Sequence, residues 1–124
     1  MNVAYASSYI DEVFARHDAL ALHTIITVRA RTSRLPEECA LFVRTLEWLG
    51  SDWQYYEATK EEDFIELCRL LKKFGMLDVL AKYQEGRAQP SDFSEWFRRK
   101  EPSIHDQLFE IAKRAVDLLK KNEG

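Results

Sequence analysis

From residue 10 onward apolar side chains recur every three or four positions. Ile10, Val13, Phe14, Leu20, Ala21, Ile25 and Val28 share a register with His17 and Thr24. At 100° per residue these positions form one stripe, which predicts a first helix running through residue 28. Ser8 followed by Asp11 has the spacing of a capping box and marks its start. Leu22 and Ile26 lie off the stripe, so the second half of this helix has two apolar flanks. Such a helix is either central in a bundle or part of a subunit interface.

The same spacing continues down the chain. Pro36 suits the first turn of a second helix, Cys39, Phe42, Val43, Leu46 and Leu49 give it an inner face, and Gly50 suits a left-handed terminal position. The segment from Ser51 to Ala58 reads as a linker or a short helix. Thr59 with Glu62 has the spacing of another capping box, followed by Phe64, Leu67, Cys68, Leu71 and Phe74, with Gly75 closing the run. A shorter helix carrying Met76, Val79, Leu80 and Tyr83 is expected to stop near Gly86, ahead of a loop over residues 85–91. Ser91 caps a helix with Phe93, Trp96 and Phe97, and Pro102 with Ser103 marks one more start, leading into Ile104, Leu108, Ile111, Ala115 and Leu119. No stretch alternates in and out as a half-buried strand would. The expected protein is all-α, a single-domain bundle of five or six helices over residues 1–124.

Composition narrows the class. With 46% apolar and 31% charged residues, the 124-residue chain has enough apolar surface for its own core. Cys39 and Cys68 stand in apolar runs without a CxxC spacing, which reads as two buried thiols. The N-terminus lacks the basic start and apolar centre of a signal peptide, and no stretch has the length of a membrane span, so a cytoplasmic location and no membrane partner are expected. The net charge of −3 argues against coating nucleic acid by bulk charge. The charges are uneven, however: residues 57–66 are acidic, whereas residues 29–34 and 98–100 carry three bases each and no acid.

Catalytic chemistry has one thread. His17 falls in the apolar stripe, as a hydrogen-bonded core histidine would, while Arg16 and His23 would share the opposite face of the same helix. An arginine followed by six residues and a histidine resembles the Arg and His pair of HEPN-type helical ribonucleases, which work on an RNA phosphate. A solvated helix face accounts for the same pair. No P-loop, dinucleotide fingerprint or Glu-x-x-His pair is present, and no catalytic residue, metal ligand or cofactor is assigned.

Binding is the better-supported class. Arg29, Arg31, Ser33 and Arg34 occupy the passage between the first and second helices, where basic side chains, a hydroxyl and free N–H groups would converge on an anion such as a nucleic-acid phosphate. Alternatively, these arginines simply cover the last carbonyls of a helix. Trp53, Tyr55 and Tyr56 would either stack bases or pack in a core or interface.

Two stretches carry a family likeness. Thr32-Ser33-Arg34-Leu35, and Tyr83-Gln84-Glu85-Gly86-Arg87 followed by Asp92-Phe93, resemble motifs of the small all-helical subunit of type III CRISPR effector complexes. The first is similar to the Thr-Ser-basic-aliphatic opening of that family's second helix, the second to its Tyr-x-x-Gly-Arg stretch. Pro36 stands where that family usually carries a basic residue. The resemblance implies a non-catalytic subunit, repeated along a filament, that touches the nucleic-acid backbone through Arg34 and Arg87. From the residues alone, the expected function is a small helical subunit or adaptor acting through a protein partner or self-association, because 12% aromatic residues and a two-flanked helix leave apolar surface to hide. Nucleic-acid binding through Arg29, Arg31, Arg34 and Arg87 is the alternative.

Overall fold

A computed structural model describes residues 5–51, 55–89 and 94–120. The expected first helix is two helices, α1 (Ser7–Ala15) and α2 (Ala19–Arg29). Between them His17 takes φ +48°, the left-handed conformation. The His17 N–H donates to the Phe14 carbonyl and the Asp18 N–H to the Val13 carbonyl, the hydrogen-bond pair of a Schellman helix stop. Asp18 then caps α2 by accepting from the Ala21 N–H at 3.1 Å. The Ser8–Asp11 capping box does not form: Ala6 is the N-cap, without a side-chain bond.

Because the chain turns at His17, the stripe predicted across residues 10–28 does not survive as one face. In α2 the buried residues are Leu22, Ile25, Ile26 and Arg29, while Leu20 is 78% exposed. The two apolar flanks therefore resolve as a central position. α2 touches α1 on one side and α3 (Glu37–Leu49) on the other, with the C-terminal α8 (Val116–Lys120) nearby.

His17 itself leaves the core. Its ring lies flat on Phe109, with centroids 4.6 Å apart and planes 2° from parallel, and its Nδ1 sits 2.8 Å from Asp106 Oδ1. Both partners belong to α7 (Ser94–Ala112), so the α1–α2 corner is fastened to the far end of the sequence. A residue with a Cβ costs about 1–2 kcal/mol in the left-handed region. The stack and the hydrogen bond offset that strain.

The remaining helices are α4 (Tyr55–Ala58), α5 (Glu61–Lys73) and α6 (Leu77–Ala88). α7 runs into α8 through a 3-10 turn at Lys113–Ala115, flanked by Ala112 and Val116 in right-handed helical geometry. Taking α7 and α8 as one rod, the described residues form seven helices and no strand, against the five or six expected. α3 is the hub, packing against α2, α5 and α7. Its buried residues, Cys39, Leu41, Phe42, Thr45, Trp48 and Leu49, occupy about half of its circumference, and the apolar ones join those of the other helices in one contiguous core.

Several expected boundaries move, each for a local reason. Pro36 is the N-cap of α3 rather than its first turn. Gly50 has φ −86°, not a left-handed value, because Ser51 Oγ donates to the Glu47 carbonyl and the chain leaves α3 without reversing hand. Thr59 bonds back to the Tyr55 carbonyl and so finishes α4 instead of capping α5. Gly75, at φ +76°, closes α5 as expected, with the same bond pair as at His17. α6 continues past a buried Gly86 to Ala88. Pro102 lies inside α7, on an exposed position, while Trp96, Phe97, Ile104 and Leu108 hold both halves against the same core. The Ser91 cap, Asp92 and Phe93 fall outside the described residues, as does Trp53.

A surface ion cluster ties α3 to α5. Glu37 accepts from Lys73 and Arg69, and Arg69 also meets Glu66 at 2.8 Å. The Lys73 ammonium first, then the Arg69 guanidinium, holds the Glu37 carboxyl below its ordinary value of 4.5.

Two predictions follow from these contacts. His17→Ala keeps the strained backbone and loses the ring, so it should destabilise the fold by about 1–2 kcal/mol. His17→Gly, relieved of the strain, should lose less. Urea melts of the three proteins check the order, and an alanine variant as stable as wild type would remove the fastening role. Glu37 has a depressed folded pKa, so its contribution is present above pH 4.5 and disappears as pH falls through the lower folded value. Wild type should melt at a higher temperature than Glu37→Gln at pH 7, and the difference should shrink as the pH is taken progressively below 4.5.

Candidate binding groove

The passage from α2 to α3 is built by backbone bonds. Thr32 and Ser33 N–H groups both donate to the Arg29 carbonyl, at 3.2 and 3.0 Å, which winds residues 30–33 into a tight exit. The chain then extends through Arg34 and a half-buried Leu35 to Pro36, whose carbonyl receives the Cys39 N–H at 3.0 Å. Glu37 and Glu38 fill the first turn of α3, so its positive end already faces carboxylates of its own chain.

The five residues expected to meet an anion part company here. Arg29 is buried at 2% exposure and its Nη2 donates at 3.3 Å to the carbonyl of Leu118 in α8. A buried guanidinium needs such acceptors. It does cover a helix carbonyl, as one sequence alternative had it, but on α8 rather than at the end of its own helix. Arg31 and Arg34 are exposed, and Ser33 is half-buried beside them. Arg87, on α6, pairs with Glu61 at 3.2 Å and lies 4.3 Å over the Phe64 ring, so α5 engages it. The structure thus brings together Ser33 and Arg34, with Arg31 on the same turn, and sets Arg29 and Arg87 to structural work elsewhere.

Ser33 and Arg34 form one end of a groove of about 660 Å³. Its walls come from α2 (Ile26, Thr27, Ala30), from Leu35 and Pro36, and from the Ala40–Val43–Arg44–Glu47 stripe of α3. α4 and the start of α5 close it with Tyr55, Ala58, Thr59 and Asp63. The floor is apolar and the charges stand on the rim. Arg44 and Asp63, both of the lining, pair with each other at 3.4 Å, and Glu47 stands 3.8 Å from His23 Nε2. The α3 stripe was legible as positions three and four apart, but those positions are a mixture of alanine, valine and charge that carries no distinctive pattern.

The other chemical candidates separate. Arg16 pairs with Glu12 at 3.0 Å on α1, whereas His23 faces Glu47 across α2 and α3. With the chain reversing at His17, the Arg16 and His23 pair does not share a helix face. Both cysteines are free. Cys39 is buried, and burial followed by the Glu38 charge pushes its thiol up to about 12, far from the thiolate that a nucleophile requires. Cys68 is half-buried rather than buried, and burial raises it too. Among the described residues no group of three His, Cys, Asp or Glu could hold a metal ion, and no helix is long and apolar enough to cross a membrane.

Tyr55 and Tyr56 pack inward. Trp48 Nε1 donates to Tyr56 Oη at 2.9 Å, Tyr56 Oη donates to the Tyr83 carbonyl at 3.0 Å, and the Tyr55 and Tyr83 hydroxyls meet at 3.0 Å. Burial raises the Tyr56 and Tyr83 phenols above their ordinary range. These rings brace α4 against α3 and α6, and Tyr55 alone of them lines the groove. No protein-family model, curated protein or solved structure matches the chain.

Proposed function

We propose that this chain is a non-catalytic binding protein of the cytoplasm, a small helical subunit or adaptor that acts through protein–protein contacts made at the α2–α3–α4 groove. The supporting observation is the groove itself. It holds about 660 Å³ and presents apolar side chains of α2, α3 and α4 beside a few charged ones, the mixture of apolar centre and polar margin found at protein–protein contacts. The two-flanked helix no longer supplies the argument, since Leu22 and Ile26 are used inside the bundle.

A second reading is favoured by the two exposed arginines of the α2–α3 turn: contact with the backbone of a nucleic acid, as in the CRISPR small subunit that the sequence resembles. It rests on Arg31 and Arg34, because Arg29 is buried and Arg87 is held by Glu61.

The tests divide the two. Ala40→Arg fills the groove from a half-buried position and should keep the wild-type melting temperature while losing the protein that co-purifies with wild type from the native cell. Equal recovery with both proteins would place the contact elsewhere. For the second reading, single-stranded RNA titrated at two salt concentrations should bind with a slope of log K on log salt of about −0.7 per phosphate neutralised. Affinity unchanged in Arg31→Ala/Arg34→Ala would remove that reading.

A further inference from the structure

We infer that the groove receives an amphipathic helix of a partner protein, with that helix's carboxylates lying toward the α2–α3 turn. This rests on the binding reading above and adds the chemistry of the occupant.

The helical form follows from backbone accounting. The groove walls are helices, and among the described residues there is no strand whose open edge could pair with an incoming extended chain. A segment entering an apolar groove loses water from its own N–H and C=O groups, and each must then find a partner. A helix brings those hydrogen bonds with it, and laying an apolar helix face in such a groove is a recurrent mode of recognition.

The charge follows from what the rim leaves over. Arg44 faces Asp63, so these two offset one another, and the other acid of the lining, Glu47, stands near the end of α3 that lies away from the turn. The Arg34 side chain is exposed and makes no hydrogen bond or ion pair among the described residues. Arg31, one turn earlier, is in the same state. The unmatched charge at the α2–α3 end of the groove is therefore positive, carried by Arg34 with Arg31 beside it. A partner with carboxylates there is attracted and held in one orientation, whereas one with lysines there is repelled.

The test uses two 14-residue helical peptides with the same leucine face, one flanked by glutamates and one by lysines, followed by fluorescence anisotropy. The glutamate peptide should bind wild type at least about tenfold more tightly than the lysine peptide, and Arg34→Glu should reverse the preference. Amide signals of Ala40 and Val43 should shift on binding, and Ala40→Arg should abolish it. Equal affinity for the two peptides, or no effect of Arg34→Glu, overturns the assignment of charge. If neither peptide binds while the native partner is still lost in Ala40→Arg, the inference falls and the adaptor reading stands. Binding of sodium dodecanoate in place of either peptide makes this a small-molecule carboxylate site and also overturns it. If the native partner is insensitive to Ala40→Arg, the adaptor reading itself falls.

Discussion

The burial of α3 is the constraint on which the rest of the molecule depends. A helix with half of its circumference buried needs several elements packed against it, and α2, α5 and α7 are the ones that supply the cover. Trp48 shows how tightly the arrangement is specified. It is buried at 2% exposure, its indole N–H is satisfied by Tyr56, and its ring stands nearly perpendicular to those of Tyr83 and Phe97. The groove is the gap in this arrangement of helices: along Ala40, Val43 and Glu47 the side chains of α3 are small or charged, and among the described residues α4 and the start of α5 wall them in without covering them. Site and core are thus two consequences of one helix being covered unevenly.

Charge has a different function on each side of that helix. Toward α5 the Glu37, Lys73, Arg69 and Glu66 cluster spans from one helix to the other. Arg87 over Phe64 and Lys82 over Trp96 use cations to cover aromatic rings. Of the acidic block seen along the sequence, Glu61, Asp63 and Glu66 meet Arg87, Arg44 and Arg69. In the α2–α3 turn Arg31 and Arg34 make no ion pair among the described residues.

The all-α class was legible because a period of three to four residues persists from Ile10 to Leu119. The helix stop at Gly75 was legible because glycine has no Cβ to strain. The equivalent stop at His17 was hidden, since its cause lies in Phe109 and Asp106, which no local pattern connects to it. Arg29 failed for the same reason: the sequence shows a basic residue beside other basic residues, and only the approach of α8 makes it an interior side chain. Pro102 was read as a boundary because its missing N–H disfavours a helix interior, but the apolar faces on either side of it are held by a single core. Of the candidate site, Ser33 and Arg34 came from the sequence, whereas the α3 and α4 walls needed the tertiary structure.

The turn at His17 also bears on the order in which the protein can be made. The contact that stabilises its strained backbone joins residues 89 positions apart. A ribosome releases α1 before its anchor in α7. Until Asp106 and Phe109 emerge, the left-handed corner has only its local backbone bonds and the Asp18 cap to set against the single continuous helix that the hydrophobic stripe favours. The native break therefore gains its side-chain support late, from a contact of high sequence separation in a chain whose helices otherwise form from local bonds.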